Sequence, residues 1–197
     1  MKVIFLDIDG VLNCQNGYKG GYCKYTKLVV DSEDEKDHYQ QFYPPSKKLL
    51  NELIEETDAK IVISSTWRHS GIQFMQRVWK AEGMSGEIID VTPSFRHIQI
   101  SEDDHFPVPR GLEINYWLDK KDFSHIFWSK EVQEKYVKQS GIDNYIIIDD
   151  DSDMLYNQKE HFIHVKPSPR NLNGFNKENY DQAISVLSKN ILDLYYD

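Results

Sequence analysis

The sequence predicts an α/β fold, a parallel sheet with helices on both faces, and three observations carry that expectation. Short apolar runs recur at Lys2–Leu6, Lys60–Ser64 and Tyr145–Ile148, each of the length and residue type of a buried strand. Between the first two, Leu49, Leu50, Leu53 and Ile54 fall at helical spacing, so strand, helix and strand make a βαβ unit with a right-handed crossover. All three runs end in chemistry-bearing side chains: Asp7 and Asp9, then Ser64-Ser65-Thr66, then Asp149-Asp150-Asp151. Open α/β sheets bind their ligands at the carboxyl ends of strands.

The bulk properties bound the rest. A chain of 197 residues fits one domain, 1–197, with insertions. At 40% hydrophobic, with twelve Tyr, nine Phe and four Trp, it can bury a sizeable core and is not a disordered composition. Net charge −9 excludes a generally basic nucleic-acid coat but leaves room for a local basic pocket. Lys2–Leu6 is too short for a signal peptide and no segment reaches membrane-spanning length. The expectation is a cytoplasmic protein with no membrane partner and no obligate protein partner, its two cysteines, Cys14 and Cys23, reduced. With His38 these match no zinc spacing, and no Walker loop is present.

Along the chain, Asp7 and Asp9 sit two apart after the first strand, so alternation lets both face one cleft. Like charges this close repel unless a cation binds or one acid keeps a proton. Gly10 lets the backbone turn away. Cys14–Tyr43 is polar and irregular, with an acidic run at Asp31–Asp37, a strand over Thr26–Val30 and a hairpin over Tyr18–Val30. Its aromatic residues, Tyr18, Tyr22 and Tyr39 among them, favour an ordered lid. Pro44–Pro45 closes it and Ser46 is the expected N-cap of a helix over 46–58. After the second strand, three hydroxyls and the Arg68 guanidinium suit a phosphoryl group: a hydroxyl donates without adding charge and Arg binds two oxygens at once. A helix follows over Gly71–Glu82, with Met75, Val78 and Trp79 inward, then a strand over Glu87–Val91 and an irregular stretch, 92–109, holding His97, His105 and the acidic Glu102–Asp104. Arg110-Gly111 opens a helix over Leu112–Asp119, and Ser129 caps another that Gly141 stops. The third strand runs into four acids in five residues, Asp149, Asp150, Asp151 and Asp153, a cluster that needs a cation or solvent to screen it. His161–Lys166 reads as an edge strand, and a helix over 177–189 follows Asn171–Gly174, with Ala183, Ile184, Leu187 and Ile191 as its core face.

Four stretches in order, FLDIDGVLN, ISSTWR, RGLEINYWL and IIIDDDSDM, resemble the motifs of the haloacid-dehalogenase-like (HAD) phosphohydrolases. They are most similar to the HAD domain of Swiss Army Knife RNA repair proteins, a group proposed to be polynucleotide phosphatases. The resemblance implies a HAD-like Rossmannoid sheet and a flap or small cap inserted after the first strand, here 14–45. It implies a magnesium-dependent phosphomonoester hydrolase with Asp7 as nucleophile, forming an aspartyl-phosphate, and Asp9 as acid and base. Ser64 is the first choice for the second-motif hydroxyl, with Ser65 one register step away as the alternative. Arg110 would pin the phosphorylated nucleophile. The metal set would be Asp7, Asp9 through its backbone carbonyl, and Asp150, with Asp149 assisting and Asp153 further out. Magnesium suits such hard oxygen donors. Ser65, Arg68 and Trp67 would touch the substrate, Trp67 by stacking a base of a nucleic-acid end. The competing readings are a phosphatase or phosphotransferase of small metabolites or nucleotides, and a non-catalytic HAD-like binding module.

Overall fold

The computed structural model describes residues 1–23, 25–29, 36–95, 97–99, 105–121, 123, 130–166, 172–192 and 194. In chain order the elements are β1 (Lys2–Leu6), α1 (Gln15–Lys19), β2 (Tyr25–Val29), β3 (Lys36–Gln40), α2 (Pro44–Thr57), β4 (Lys60–Ile63), α3 (Ile72–Ala81), β5 (Ile88–Val91), β6 (His97–Gln99), β7 (His105–Pro107), α4 (Arg110–Asp119), α5 (Lys130–Ser140), β8 (Asn144–Asp149), β9 (Phe162–His164) and α6 (Lys177–Leu187). Among the described residues the main sheet has five strands in the order β5-β4-β1-β8-β9, every pair parallel. The chain starts in the middle, moves out through β4 and β5, then crosses to the far side of β1 as β8 and β9. The order therefore reverses between β1 and β8, and the crevice at such a switch point is where this architecture binds ligands.

Helices cover both faces of the sheet, as expected. Alternate strand residues Ile4, Leu6, Ile61, Ile63, Ile146 and Ile148 bury against Leu50 and Leu53 of α2, Met75 and Val78 of α3, and Ala183 and Leu187 of α6. The intervening Val3, Phe5, Val62, Tyr145 and Ile147 bury against Ile114, Trp117 and Leu118 of α4. Phe5 meets Trp117 and Tyr145 edge-on, with ring centroids 5.3 and 5.9 Å apart, the arrangement the ring quadrupoles favour. Because both faces are covered, the central strands are apolar throughout, which is why they read as continuous runs instead of alternating ones. No helix among the described residues is long and apolar enough to cross a membrane.

Several expectations shift. Helix α2 starts two residues before Ser46: Tyr43 is its N-cap, Pro44 and Pro45 open it, and Ser46 is buried inside, its hydroxyl donating to the Asn173 carbonyl at 2.6 Å. Proline's fixed φ and missing N–H suit the first helical turn, so the prolines begin the helix instead of preceding it. Asp58, at φ +50°, ends it. The early hairpin pairs β2 with β3 downstream, not with Tyr18–Tyr22, which stand in and after α1. The 92–109 stretch contains a small antiparallel pair, β6 with β7. His161 lies outside β9, which is shorter than 161–166, and β9 is indeed at the sheet edge. The acidic stretches 31–35 and Glu102–Asp104, and the Ser129 cap, lie outside the described residues.

His161 is fully buried, its ring stacked on Tyr145 at 3.9 Å between centroids and its Nδ1 2.8 Å from the Tyr145 carbonyl. A carbonyl only accepts, so Nδ1 carries the proton. Burial pushes the imidazole pKa down to about 4. The unfolded chain, with an ordinary value of about 6.5, takes up the proton first, so this stability is present above pH 6.5 and is lost as pH falls toward 4. His161→Gln, which keeps a donor, should remove about 2 kcal/mol of the stability lost between pH 8 and pH 5. Denaturant melts of both proteins at the two pH values read this difference. A difference near zero would mean that His161 protonates within the fold.

Candidate active site

The ladder carries both acidic segments to one place. The Asp7 N–H donates to the Ile148 carbonyl at 3.0 Å, continuing the β1–β8 pairing past the last strand residue. Carboxylate oxygens of Asp7, Asp149 and Asp150 then all lie within 4.8 Å of one another. Asp7 and Asp149 are buried and Asp150 is half-buried. Gly10 makes the approach possible: it sits at φ +77°, and a Cβ there would lie 2.1 Å from the Asp150 Oδ2.

One guanidinium faces this crowd. Arg110, the first residue of α4, donates from Nη1 to Asp7 Oδ1 at 2.7 Å and to the Ser64 carbonyl at 2.8 Å, and its Nε is 3.2 Å from Asp149 Oδ2. Asp153, in the loop after β8, accepts from the Arg110 backbone N–H at 2.8 Å, and its carbonyl accepts from Gly111 N–H at 3.2 Å. These contacts satisfy two of the orphan donors at the start of α4 and place an anion at its positive end. Gly111 permits the seating, since a Cβ there would lie 2.5 Å from the Leu155 nitrogen.

The protonation equilibria record the imbalance. Burial raises the Asp7 carboxyl above its ordinary value, with Arg110 and the Ser65 hydroxyl pulling the other way. Burial and then the neighbouring Asp7 charge push Asp149 up to about 8, and the same causes push Asp150 up to about 6. For Arg110, burial opposes the charge but Asp7 and Asp149 outweigh it, so its pKa is raised. Three carboxyls share one guanidinium, so the cluster keeps a proton until a cation replaces it. Asp149 Oδ2 is fully buried and accepts no hydrogen bond, and every donor is a carboxylate oxygen, so the set fits a hard divalent cation.

The hydroxyl beside Asp7 belongs to Ser65, which hydrogen-bonds the Asp7 carboxylate. Ser64, the first choice from the sequence, has a buried Oγ with no partner; its contribution is its carbonyl, shared by Arg68 and Arg110. Neighbouring residues of an extended segment point to opposite sides, and one register step decides between them. Arg68 is also placed differently from expectation. It is 9% exposed, its guanidinium donating to the Ser64 carbonyl and to Glu113 Oε2, each at 2.5 Å. Burial lowers its pKa and Glu113 offsets part of that. Glu113 also accepts from the Phe95 N–H at 2.9 Å. Arg68 is thus occupied by a buried carboxylate. Glu113 carries no sequence signal for this role, because its partner Arg68 lies 45 residues away.

Asp9 remains exposed. Its Oδ2 accepts from the Trp67 indole N–H at 3.0 Å and its Oδ1 from the Asn13 amide at 3.3 Å. Asn13 also donates to Gln40 Oε1 at 3.3 Å, which accepts from the Tyr18 hydroxyl at 2.7 Å. Asn13, Gln40 and Tyr18 carried no sequence signal for this role. Two cavities flank the 3₁₀ turn Thr66–Ser70. One, of about 350 Å³, is lined by Asp9, His38, Gln40, Trp67 and Phe74. The other, of about 290 Å³, is lined by Arg68, Ser94, Arg110, Glu113 and Asp153.

A family model described as the HAD domain in Swiss Army Knife RNA repair proteins matches residues 3–179. No curated protein and no solved structure matches the chain.

Two outcomes follow from this geometry. A divalent cation at the carboxylate cluster must displace the protons held at about 8 on Asp149 and about 6 on Asp150. Its apparent affinity should fall as pH drops below 8 and fall more steeply below 6, about tenfold per pH unit for each proton displaced. Calorimetry at several pH values measures this, and a flat profile from pH 8 to 5.5 would put the cation elsewhere. Gly10→Ala forces a side chain into a left-handed conformation that costs about 1–2 kcal/mol and collides with Asp150. It should lower both the melting temperature and cation affinity; unaltered affinity would mean that Asp150 is no ligand.

Proposed function

The chain belongs to the HAD domains of the Swiss Army Knife RNA repair proteins, and from that premise we propose that it hydrolyses phosphomonoesters with magnesium through an aspartyl-phosphate on Asp7. The observation that carries the reading is Asp7 itself. It is a buried carboxylate at the switch point, held by Arg110 and Ser65, with a second acid two residues on.

The steps use these residues in order. A carboxylate oxygen of Asp7 attacks phosphorus, and the bond from phosphorus to the leaving oxygen breaks. Asp9 gives that oxygen its proton. Asp9 then takes a proton from water, whose oxygen attacks the phosphorus and frees the Asp7 carboxylate and inorganic phosphate. Arg110 and the Ser65 hydroxyl donate to the phosphoryl oxygens as charge develops. The Asp7 and Asp150 carboxylates and the Asp9 carbonyl, with Asp149 beside them, would hold magnesium, which would supply further positive charge there. Asp153 acts on Arg110, whose helix start it anchors.

The substrate we infer is a terminal phosphate on a nucleic-acid end. Family membership supports this, as does the cavity beside Asp9, whose wall includes Trp67, an aromatic side chain of the kind that stacks on bases. Residues 14–45, with α1 and the β2–β3 hairpin, would act as the flap of a single unit spanning 1–197. Net charge −9 opposes a long polyanion, and the Arg68 guanidinium is taken up by Glu113. Contact should therefore stop at the terminal nucleotide or two, with a log-log salt slope of about −1 to −2.

Purified protein should cleave an aryl phosphate with magnesium and lose that activity in chelator. Asp7→Asn should abolish turnover while keeping the fold, because it removes a buried charge and preserves shape; turnover persisting in that variant would exclude Asp7 as nucleophile. Across a panel, 3′- or 5′-phosphorylated oligonucleotides should outpace sugar phosphates, and the reverse order would overturn the substrate assignment.

A further inference from the structure

We propose that Trp67 is a positioning residue for Asp9: its indole N–H, opposite the Asn13 amide, clamps the carboxyl so that its proton is presented to the leaving oxygen. The inference rests on the acid role of Asp9 proposed above. It begins from a problem in the geometry. Asp9 is exposed, and an exposed aspartate exchanges among rotamers within nanoseconds. A general acid must come within hydrogen-bond reach of the oxygen it protonates, so a freely rotating carboxyl spends much of its time misplaced.

The clamp meets that problem from both sides. Trp67 donates to one oxygen at 3.0 Å and Asn13 to the other at 3.3 Å. Indole N–H only donates, so it holds the acceptor oxygen and never competes for the proton. The ring itself is fixed: it is half-buried, packed on the main core, and tilted against Phe42 with centroids 6.1 Å apart. Asn13 is 2% exposed and held by Gln40.

The spacing of the two segments matches. Ser65 hydrogen-bonds Asp7, and Trp67, two residues on, hydrogen-bonds Asp9, two residues on. Ser65 also accepts from the Trp67 backbone N–H at 3.4 Å, starting the turn that carries the indole. The segment after β4 thus holds both acids of the segment after β1. Trp67 and Asp9 also share the wall of the 350 Å³ cavity.

A merely structural tryptophan and a positioning one differ in how their loss depends on the leaving group. Protonation matters for an alkoxide, a poor leaving group, and hardly at all for dinitrophenolate. The comparison uses kcat/KM, which covers steps only through the first irreversible departure and so excludes the later hydrolysis in which Asp9 acts as base. Trp67→Phe keeps a ring and removes the N–H; replacing Trp67 with benzothienylalanine keeps the bicyclic shape and also removes it. Both should lower the ratio of kcat/KM for an alkyl phosphate over 2,4-dinitrophenyl phosphate at least about tenfold, a fraction of the 10²–10⁴ that a general acid supplies. Asp9→Asn should lower the same ratio further. A ratio preserved in either Trp67 variant but lowered in Asp9→Asn overturns the clamp alone. A ratio preserved in Asp9→Asn as well overturns the acid assignment beneath it.

Discussion

Three carboxyl groups brought together at the ends of two adjacent strands are the constraint on which the rest of this site depends. Two unit charges 4 Å apart repel by about 4 kcal/mol at an effective dielectric near 20, and Asp7, Asp149 and Asp150 are held within 4.8 Å of one another. That repulsion, added to burial, is why Asp149 stays protonated to about pH 8. It also explains the surroundings. Arg110 contacts two of the three acids, Ser65 donates to Asp7, and Gly10 provides the backbone that lets Asp150 come close. The Arg110 guanidinium offsets part of that repulsion, and a bound cation would offset more of it.

The two arginines divide the work between them. Arg110 faces the acids, while Arg68 and Glu113 form a separate buried pair behind it. The two guanidinium groups meet at one atom, the Ser64 carbonyl. Arg68 thereby fixes the backbone oxygen against which Arg110 is braced. A pair of this kind adds little net stability over apolar packing, yet removing one partner leaves a buried charge at a cost of about 3–5 kcal/mol. Its value here is geometric: Glu113 ties the end of the first turn of α4 to the turn after β4, and Asp153 ties the start of α4 to the loop after β8. The helix that carries Arg110 is therefore pinned from both neighbours of β1.

Much of this was legible in the residues themselves. The strands announced themselves because each is buried on both faces and so is apolar without interruption, and the acids at their ends marked the crevice. Arg110 could be singled out only through the resemblance, since the phosphohydrolases it resembles carry a cation near the start of the helix before the last acidic motif. Boundaries were less legible: the Pro44–Pro45 start of α2 and the β2–β3 pairing depend on proline geometry and on partners distant in sequence. The edge position of β9 was legible in a short run that ends at Pro167, whereas that of β5 was not.

What the amino-acid order determined by itself was the local chemistry: the strand runs, the acid pair two apart, the hydroxyl cluster, and a glycine where the chain must turn left-handed. Tertiary structure alone decided which of two adjacent serines meets Asp7, because that rests on one register step between β1 and β4. It alone assigned Arg68 to Glu113 and Trp67 to Asp9, since a guanidinium or an indole has no spacing pattern that names its partner. Hydrogen bonds between side chains 45 or 58 residues apart are settled by the packing of the turn between them, and sequence periodicity reports only which face of an element is buried.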